Sequence, residues 1–144
     1  MTNKSTEITA EDRRRGHTEI IENLPVAGER WVDENYVHHD PLTPETETVS
    51  SLEQYLAAYE AFKTAVPDQV STAEKVIVEG NWSAARWHFI GTHTGQFRDI
   101  APSNNKIDYV GMTMYRWEGS KVVEGWTLFD VVNFSRQIGI GPQQ

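Results

Sequence analysis

Apolar residues recur with two different periods along this chain, and the change from one to the other falls at Pro67. Before that point the spacing is helical. Ile20, Ile21 and Leu24 give one apolar face to a segment that opens on a Thr9–Asp12 N-cap signal and ends at Pro25. Trp31-Val32 and Tyr36-Val37 then predict a short second helix leading to His38-His39-Asp40-Pro41, where Pro41 turns Asp40 out of helical geometry. Residues 42–49, rich in Thr, Glu and Pro and without periodicity, read as a loop. Behind a Ser50–Glu53 capping-box pair, Leu52, Tyr55, Leu56, Tyr59, Phe62 and Val66 predict the most regular helix, stopped by Pro67-Asp68.

Beyond Pro67 the alternation is that of strands. Val70–Glu79 and Trp82–Thr94 flank Gly80-Asn81, and two β-like runs within Tyr109–Asp130 flank Gly119-Ser120, both tight hairpin signals. A helix-like tail, Val132–Ile138, closes the pattern. Helices first and consecutive hairpins later predict an α+β fold. A strongly curved antiparallel sheet wrapped by the N-terminal helices would form a cone open at one end, a natural small-molecule site.

The chain length of 144 residues fits a single domain, 1–144, with residues 1–8 and 140–144 as loose tails. The formal net charge of -8 argues against nucleic acid or an anionic membrane as a partner, and the one basic run, Arg13-Arg14-Arg15, sits among acids as a solvated helix face. There is no cysteine for disulfide or thiol chemistry and no run long and apolar enough for a signal peptide or membrane span, so a cytoplasmic protein is expected.

The candidate chemistry lies in the strands. Counting outward from Gly119-Ser120 places Trp117 opposite Val122, Tyr115 opposite Glu124, Thr113 opposite Trp126 and Gly111 opposite Leu128, and a one-residue slip changes these partners. Side chains alternate, so Glu124, Trp126, Leu128 and Asp130 share one face in any register. If that face is enclosed, Asp130 is a carboxylate against an apolar wall, its pKa rises by desolvation, and it becomes a proton acceptor. The alternative is that it caps the tail helix or pairs with an arginine. In the second strand of the first hairpin, Ala85, Trp87, Phe89 and His93 form the more apolar face and are assigned inward, with His93 at its polar end. His38 and His39 are adjacent and point to opposite sides of an extended chain, which argues against a metal site. One of the two is expected to face inward and the other water.

Tyr36 through His39-Asp40-Pro41, Ala65-Val66-Pro67-Asp68, Gly91-Thr92-His93-Thr94-Gly95, Tyr115-Arg116, Val123-Glu124 before Trp126 and Asp130, and the closing Arg136-Gln137-Ile138-Gly139 stand in an order and spacing that resembles the SnoaL-like polyketide cyclase family. The resemblance spans roughly Trp31 to Gly139. It implies a cone-shaped α+β barrel like that of ketosteroid isomerase and nuclear transport factor, assembled as a homodimer or higher homo-oligomer. It also implies ring closure of a polyketide ester by intramolecular aldol condensation, without metal or organic cofactor, with a general acid/base aspartate matching Asp130. The family's Pro-Thr-Gly-Lys turn is replaced here by Pro102-Ser103-Asn104-Asn105-Lys106, in which Asn tolerates left-handed geometry.

The expectation that follows is a cofactor-free enzyme on an apolar carbonyl compound. Asp130 removes an α-proton and His93 donates to the enolate, with Tyr36, His39 and Tyr115 as further donors. Trp87, Phe89 and Trp126 form apolar walls, and Tyr55 or Tyr59 presents a hydroxyl to the cavity. The alternatives are a non-catalytic ligand-binding protein of the same fold, a hydrolase with Asp130 and a histidine activating water, or a hydroxylation-related homologue.

Overall fold

The computed structural model describes residues 7–43 and 48–140. The expected loose ends and the middle of the 42–49 loop fall for the most part outside the described residues. Helix α1 (Ala10–Glu22) begins with a capping box in which Thr9 Oγ1 accepts the Asp12 N–H and the Asp12 carboxylate accepts the Thr9 N–H, each at 3.0 Å. The chain breaks at Asn23 and restarts as α2 (Leu24–Trp31), with Pro25 in its first turn, where a missing N–H costs nothing.

The second helix expected over Trp31–Val37 is instead a strand, β1 (Val32–His39), in which Val32, Tyr36 and His38 are buried. Apolar residues four apart satisfy a helix and a strand equally, and here a neighbouring strand takes the backbone amides. Helix α3 (Leu52–Ala65) starts one residue later than the sequence suggests: Ser51 Oγ accepts from the Gln54 N–H at 3.1 Å, while the Ser50 N–H donates to the Gln54 side chain.

The hairpins form where expected, as β2 (Val70–Glu79), β3 (Trp82–Thr92), β4 (Lys106–Glu118) and β5 (Lys121–Phe129), followed by α4 (Val131–Gln137). Gly80 and Gly119 take positive φ in the two turns, as does Asn104 in the loop before β4. The sheet order is β1-β5-β4-β3-β2. All pairings are antiparallel except β1 with β5, so the sheet is mixed at that edge and not wholly antiparallel.

One irregularity in the β4–β5 pairing sets which way the end of β5 faces. Trp117 pairs with Val122 as counted, but Arg116 pairs with Glu124, so Val123 is an extra residue in β5. Beyond it Tyr115 faces Gly125, Thr113 faces Thr127 and Gly111 faces Phe129. In β4 the buried positions are Ile107, Tyr109, Gly111, Thr113, Tyr115 and Trp117, which mark the side covered by helices. Gly125, Thr127 and Phe129 therefore face inward, and Glu124, Trp126 and Leu128 face outward.

Two apolar clusters fill the inside: Ile20, Leu24, Trp31, Tyr36, Tyr115 and Trp117 at one end, and Val66, Phe89, Ile107, Tyr109, Phe134 and Ile138 at the other. His17 is wholly buried in the first. Ser83 Oγ accepts from Trp117 Nε1 at 2.9 Å and lies within hydrogen-bond distance of His17 Nδ1, at 2.7 Å. Burial drives the His17 pKa down to about 3.

Candidate functional site

Between the two clusters, under α3, the concave face keeps a cavity of about 280 Å³ whose walls include His38, Asp40, Tyr59, Trp87, Tyr109 and Thr127. A second hollow of about 160 Å³ shares Tyr55, Tyr59, Trp87 and Tyr109 with it and adds Phe89 and Tyr115. Two glycines make this floor possible. A Cβ on Gly111 would lie 2.4 Å from the Trp87 ring, and one on Gly125 would lie 2.2 Å from the Tyr36 hydroxyl. Both side chains can approach the sheet this closely only because these positions lack side chains.

The chemistry is carried by the end of β1. The Tyr36 hydroxyl is 2.7 Å from His38 Nδ1, and His38 Nε2 is 3.5 Å from Asp40 Oδ2. Burial pushes the Tyr36 phenol well above its usual pKa, so it remains a donor. Burial also drives His38 down to about 4, against the smaller opposing pull of the Asp40 charge. Near neutral pH His38 is therefore an uncharged imidazole, and with the acceptor-only Asp40 carboxylate facing Nε2, the tautomer that suits both neighbours carries its proton on Nε2 and accepts from Tyr36 at Nδ1. Asp40 is held by the N–H groups of Leu42 and Thr43, at 2.8 and 3.0 Å on Oδ1, and by the Thr43 hydroxyl at 3.2 Å on Oδ2. Its side chain is 19% exposed, against 7% for His38. Across the floor, Trp87 Nε1 donates to Thr113 Oγ1 at 2.9 Å, and Thr113 Oγ1 lies 2.9 Å from Thr127 Oγ1.

The structure gathers five of the expected residues on the inside: Tyr36, Tyr59, Trp87, Phe89 and Tyr115. His39 and Trp126 lie elsewhere. Their rings stack at 5.4 Å and His39 Nε2 pairs with Glu124 Oε2 at 2.8 Å, outside the concave cavity, in a separate depression at the β1–β5 edge. The split between His38 and His39 follows the alternation of an extended chain, as expected.

His93 faces inward, as its strand alternation predicts, but lines neither hollow. Its Nδ1 accepts the Ser103 N–H at 3.1 Å, Ser103 Oγ in turn donates to the Gln137 carbonyl at 3.0 Å, and the His93 backbone pairs with Asn104 and Asn105. It ties the 103–105 turn to the end of α4. Burial holds its pKa below the ordinary histidine value.

Asp130 is the N-cap of α4, accepting the Asn133 N–H at 3.0 Å, and it is exposed. The enclosed apolar surroundings expected of it do not arise, because the extra residue at Val123 turns its face outward. It borders an open apolar depression on the convex side together with Met112, Met114 and Leu128. Sequence reading passed over Thr127 and gave Asp40 no part in catalysis. The parity of Tyr36, His38 and Asp40 in an extended strand was the available signal, hidden by the helical reading of Trp31–Val37.

Among the described residues no group of three or more His, Asp or Glu is arranged to hold a metal ion, and no helix is long and apolar enough to cross a membrane.

The model of the SnoaL-like polyketide cyclase family matches residues 13–138. No curated protein sequence matches the chain. Among solved structures, one described as a candidate SnoaL-like polyketide cyclase from Jannaschia sp. CCS1 is 15% identical, covers 99% of each chain and superposes with a TM-score of 0.79. AclR, described as a candidate hydroxylase from Streptomyces galilaeus, is 21% identical over 94% of this chain and 86% of its own, with a TM-score of 0.78. IdmH, described as a candidate polyketide cyclase from Streptomyces antibioticus, is 22% identical over 92% of this chain and 100% of its own, with a TM-score of 0.74. At these identities the likeness establishes the fold.

Proposed function

The chain belongs to the SnoaL-like polyketide cyclase family, and from that premise we propose that its concave cavity binds an apolar carbonyl compound and closes a ring in it by aldol chemistry, with Asp40 as the base. In this reading the Asp40 carboxylate takes the α-proton and the C–H electron pair becomes the enolate. The uncharged His38 ring donates its Nε2 proton in a hydrogen bond to the enolate oxygen, a role that suits an imidazole kept neutral near pH 7. The enolate carbon then attacks a second carbonyl of the same molecule, and the proton held by Asp40 goes to the resulting alkoxide. The observation that carries this is the pair itself: an acceptor and a donor 3.5 Å apart on the wall of a cavity otherwise lined largely by aromatic rings.

Deuterium exchange into the methyl group of 2-acetylnaphthalene, followed by NMR in D2O, tests it. Asp40→Asn is expected to lower the protein-catalysed exchange by about 10²-fold or more. Undiminished exchange in that variant would falsify the assignment. A second reading gives proton abstraction to Asp130, and the apolar depression beside that carboxylate favours it. It predicts that Asp130→Asn, and not Asp40→Asn, abolishes exchange. Binding of the ketone without exchange would instead favour a non-catalytic pocket, for which the two backbone N–H groups already on Asp40 speak.

Assembly belongs to the same reading. Ile90, Val110, Met112, Met114 and Leu128 are exposed on the convex face, and clustered apolar side chains of this kind are a common site of association. A homodimer covering it is expected, and a monomeric mass by light scattering would remove that part.

A further inference from the structure

The hydrogen-bond direction along the cavity floor follows from counting protons. Thr113 Oγ1 accepts from Trp87 Nε1, an indole that can only donate. Thr113 is 6% exposed and has one hydroxyl proton to place. If Thr127 donated to Thr113, the Thr113 oxygen would accept twice and its own proton would be left without a partner, which is unfavourable in a buried position. If Thr113 donates to Thr127, every group up to that point is satisfied, and the Thr127 hydroxyl proton is the only one left to assign. Thr127 lines both the concave cavity and the hollow at the β1–β5 edge, each together with His38 and Asp40. The register agrees: His38 pairs with Gly125 and His39 with Trp126, so Asp40 follows beside Thr127. No hydrogen bond joins Thr127 to Asp40 among the described residues.

We infer that Thr127 is the cavity's oxygen-binding group, its hydroxyl set as a donor by the Trp87–Thr113 relay, and that the ligand class is one presenting a carbonyl or enolate oxygen between Thr127 and His38 with its α-carbon toward Asp40. Trp87 and Thr113 are positioning residues in this arrangement. The inference rests on the cavity proposed above but not on the identity of the base. It also explains a polar feature that apolar walls alone do not require: two hydroxyls and an indole N–H in line across the floor.

The test is isotope-edited infrared spectroscopy of carbonyl-¹³C-labelled 2-acetylnaphthalene bound to the full chain, with its Kd measured on the same samples. The wild-type complex is expected to show the carbonyl stretch shifted to lower frequency than in an apolar solvent. Thr127→Val, nearly the same shape without the hydroxyl, is expected to lose part of that shift and to weaken binding by about 5- to 10-fold, the size of one neutral hydrogen bond. Thr127→Ser keeps the donor and should restore both. Trp87→Phe leaves both threonines but lets Thr127 turn back toward Thr113, and should reduce the shift without touching the ligand's oxygen directly. An unchanged frequency and Kd in Thr127→Val overturn the inference, as does failure of the wild-type protein to bind the ketone at millimolar concentration. Because Asp40→Asn exchange is read separately, a Thr127-dependent shift without Asp40-dependent exchange retains the oxygen site and removes the base.

Discussion

Strands β1 and β5 lie side by side and parallel, and each is followed at once by an aspartate, Asp40 and Asp130. Both aspartates use a carboxylate oxygen to accept backbone N–H groups two or three residues on. There the likeness ends. Asp40 is largely covered, beside an uncharged histidine on a cavity wall, whereas Asp130 stands in water at a helix start. The difference is one of parity: Tyr36, His38 and Asp40 alternate inward, while on β5 the inward positions are Gly125, Thr127 and Phe129. Two residues that look alike in a linear motif are thus separated by the thickness of a sheet. Proximity to apolar residues in sequence is therefore no measure of desolvation.

The largest test of that contrast is catalytic. If the covered aspartate is the base, Asp40→Asn should lower ketone exchange by about 10²- to 10⁴-fold and Asp130→Asn by no more than about twofold. The reverse ordering would move the chemistry to the convex side.

Acid should next test the covered side, where His38 beside Asp40 is buried uncharged while Asp130 has no buried histidine beside it. In the folded chain His38 has its pKa lowered to about 4 and His17 to about 3, each from an ordinary 6.5. The unfolded chain therefore binds more protons below that value, so stability is full above pH 6.5 and is lost as pH falls toward those folded pKa values. The loss at pH 5 is about 2 kcal/mol for each histidine. A denaturant midpoint series from pH 7 to pH 5 should show it, with His93, also lowered by burial, adding in the same direction, and His38→Gln should remove the His38 share of the loss. A midpoint independent of pH over that range would contradict the buried neutral state of both rings.

Gly125→Ala sharpens the comparison by disturbing the covered side alone. Its Cβ would lie 2.2 Å from the Tyr36 hydroxyl and 2.7 Å from the Tyr115 ring. Such overpacking is expected to cost about 1–3 kcal/mol and to pull Tyr36 from His38, so stability and ketone exchange should fall together. The exposed side answers least: Asp130→Ala removes a helix cap and should cost about 1 kcal/mol in thermal unfolding without altering ketone binding.

Much of this was legible in the residues. The α3 stripe of Leu52, Tyr55, Leu56, Tyr59 and Phe62, the two hairpin turns with positive-φ glycines, the inward set Ala85, Trp87, Phe89 and His93, and the alternation of His38 and His39 all follow from local rules of period and turn chemistry. The family motifs were legible too, because they are spacings along the chain. Other features were not. Nothing local separates a helix from a strand over Trp31–Val37, since the residue spacing there suits both and only the parallel partner β5 resolves it. Nor does any local signal mark Val123 as the extra residue in its hairpin.

The sequence by itself determined which segments could be helices and strands, where the turns fall and which family the chain resembles, because each depends on neighbours a few positions away. Tertiary structure alone decided which aspartate is covered, that His38 is neutral and that Thr127 faces a cavity. Each of those depends on the register between strands distant in the chain, where a single inserted residue reverses every side chain beyond it.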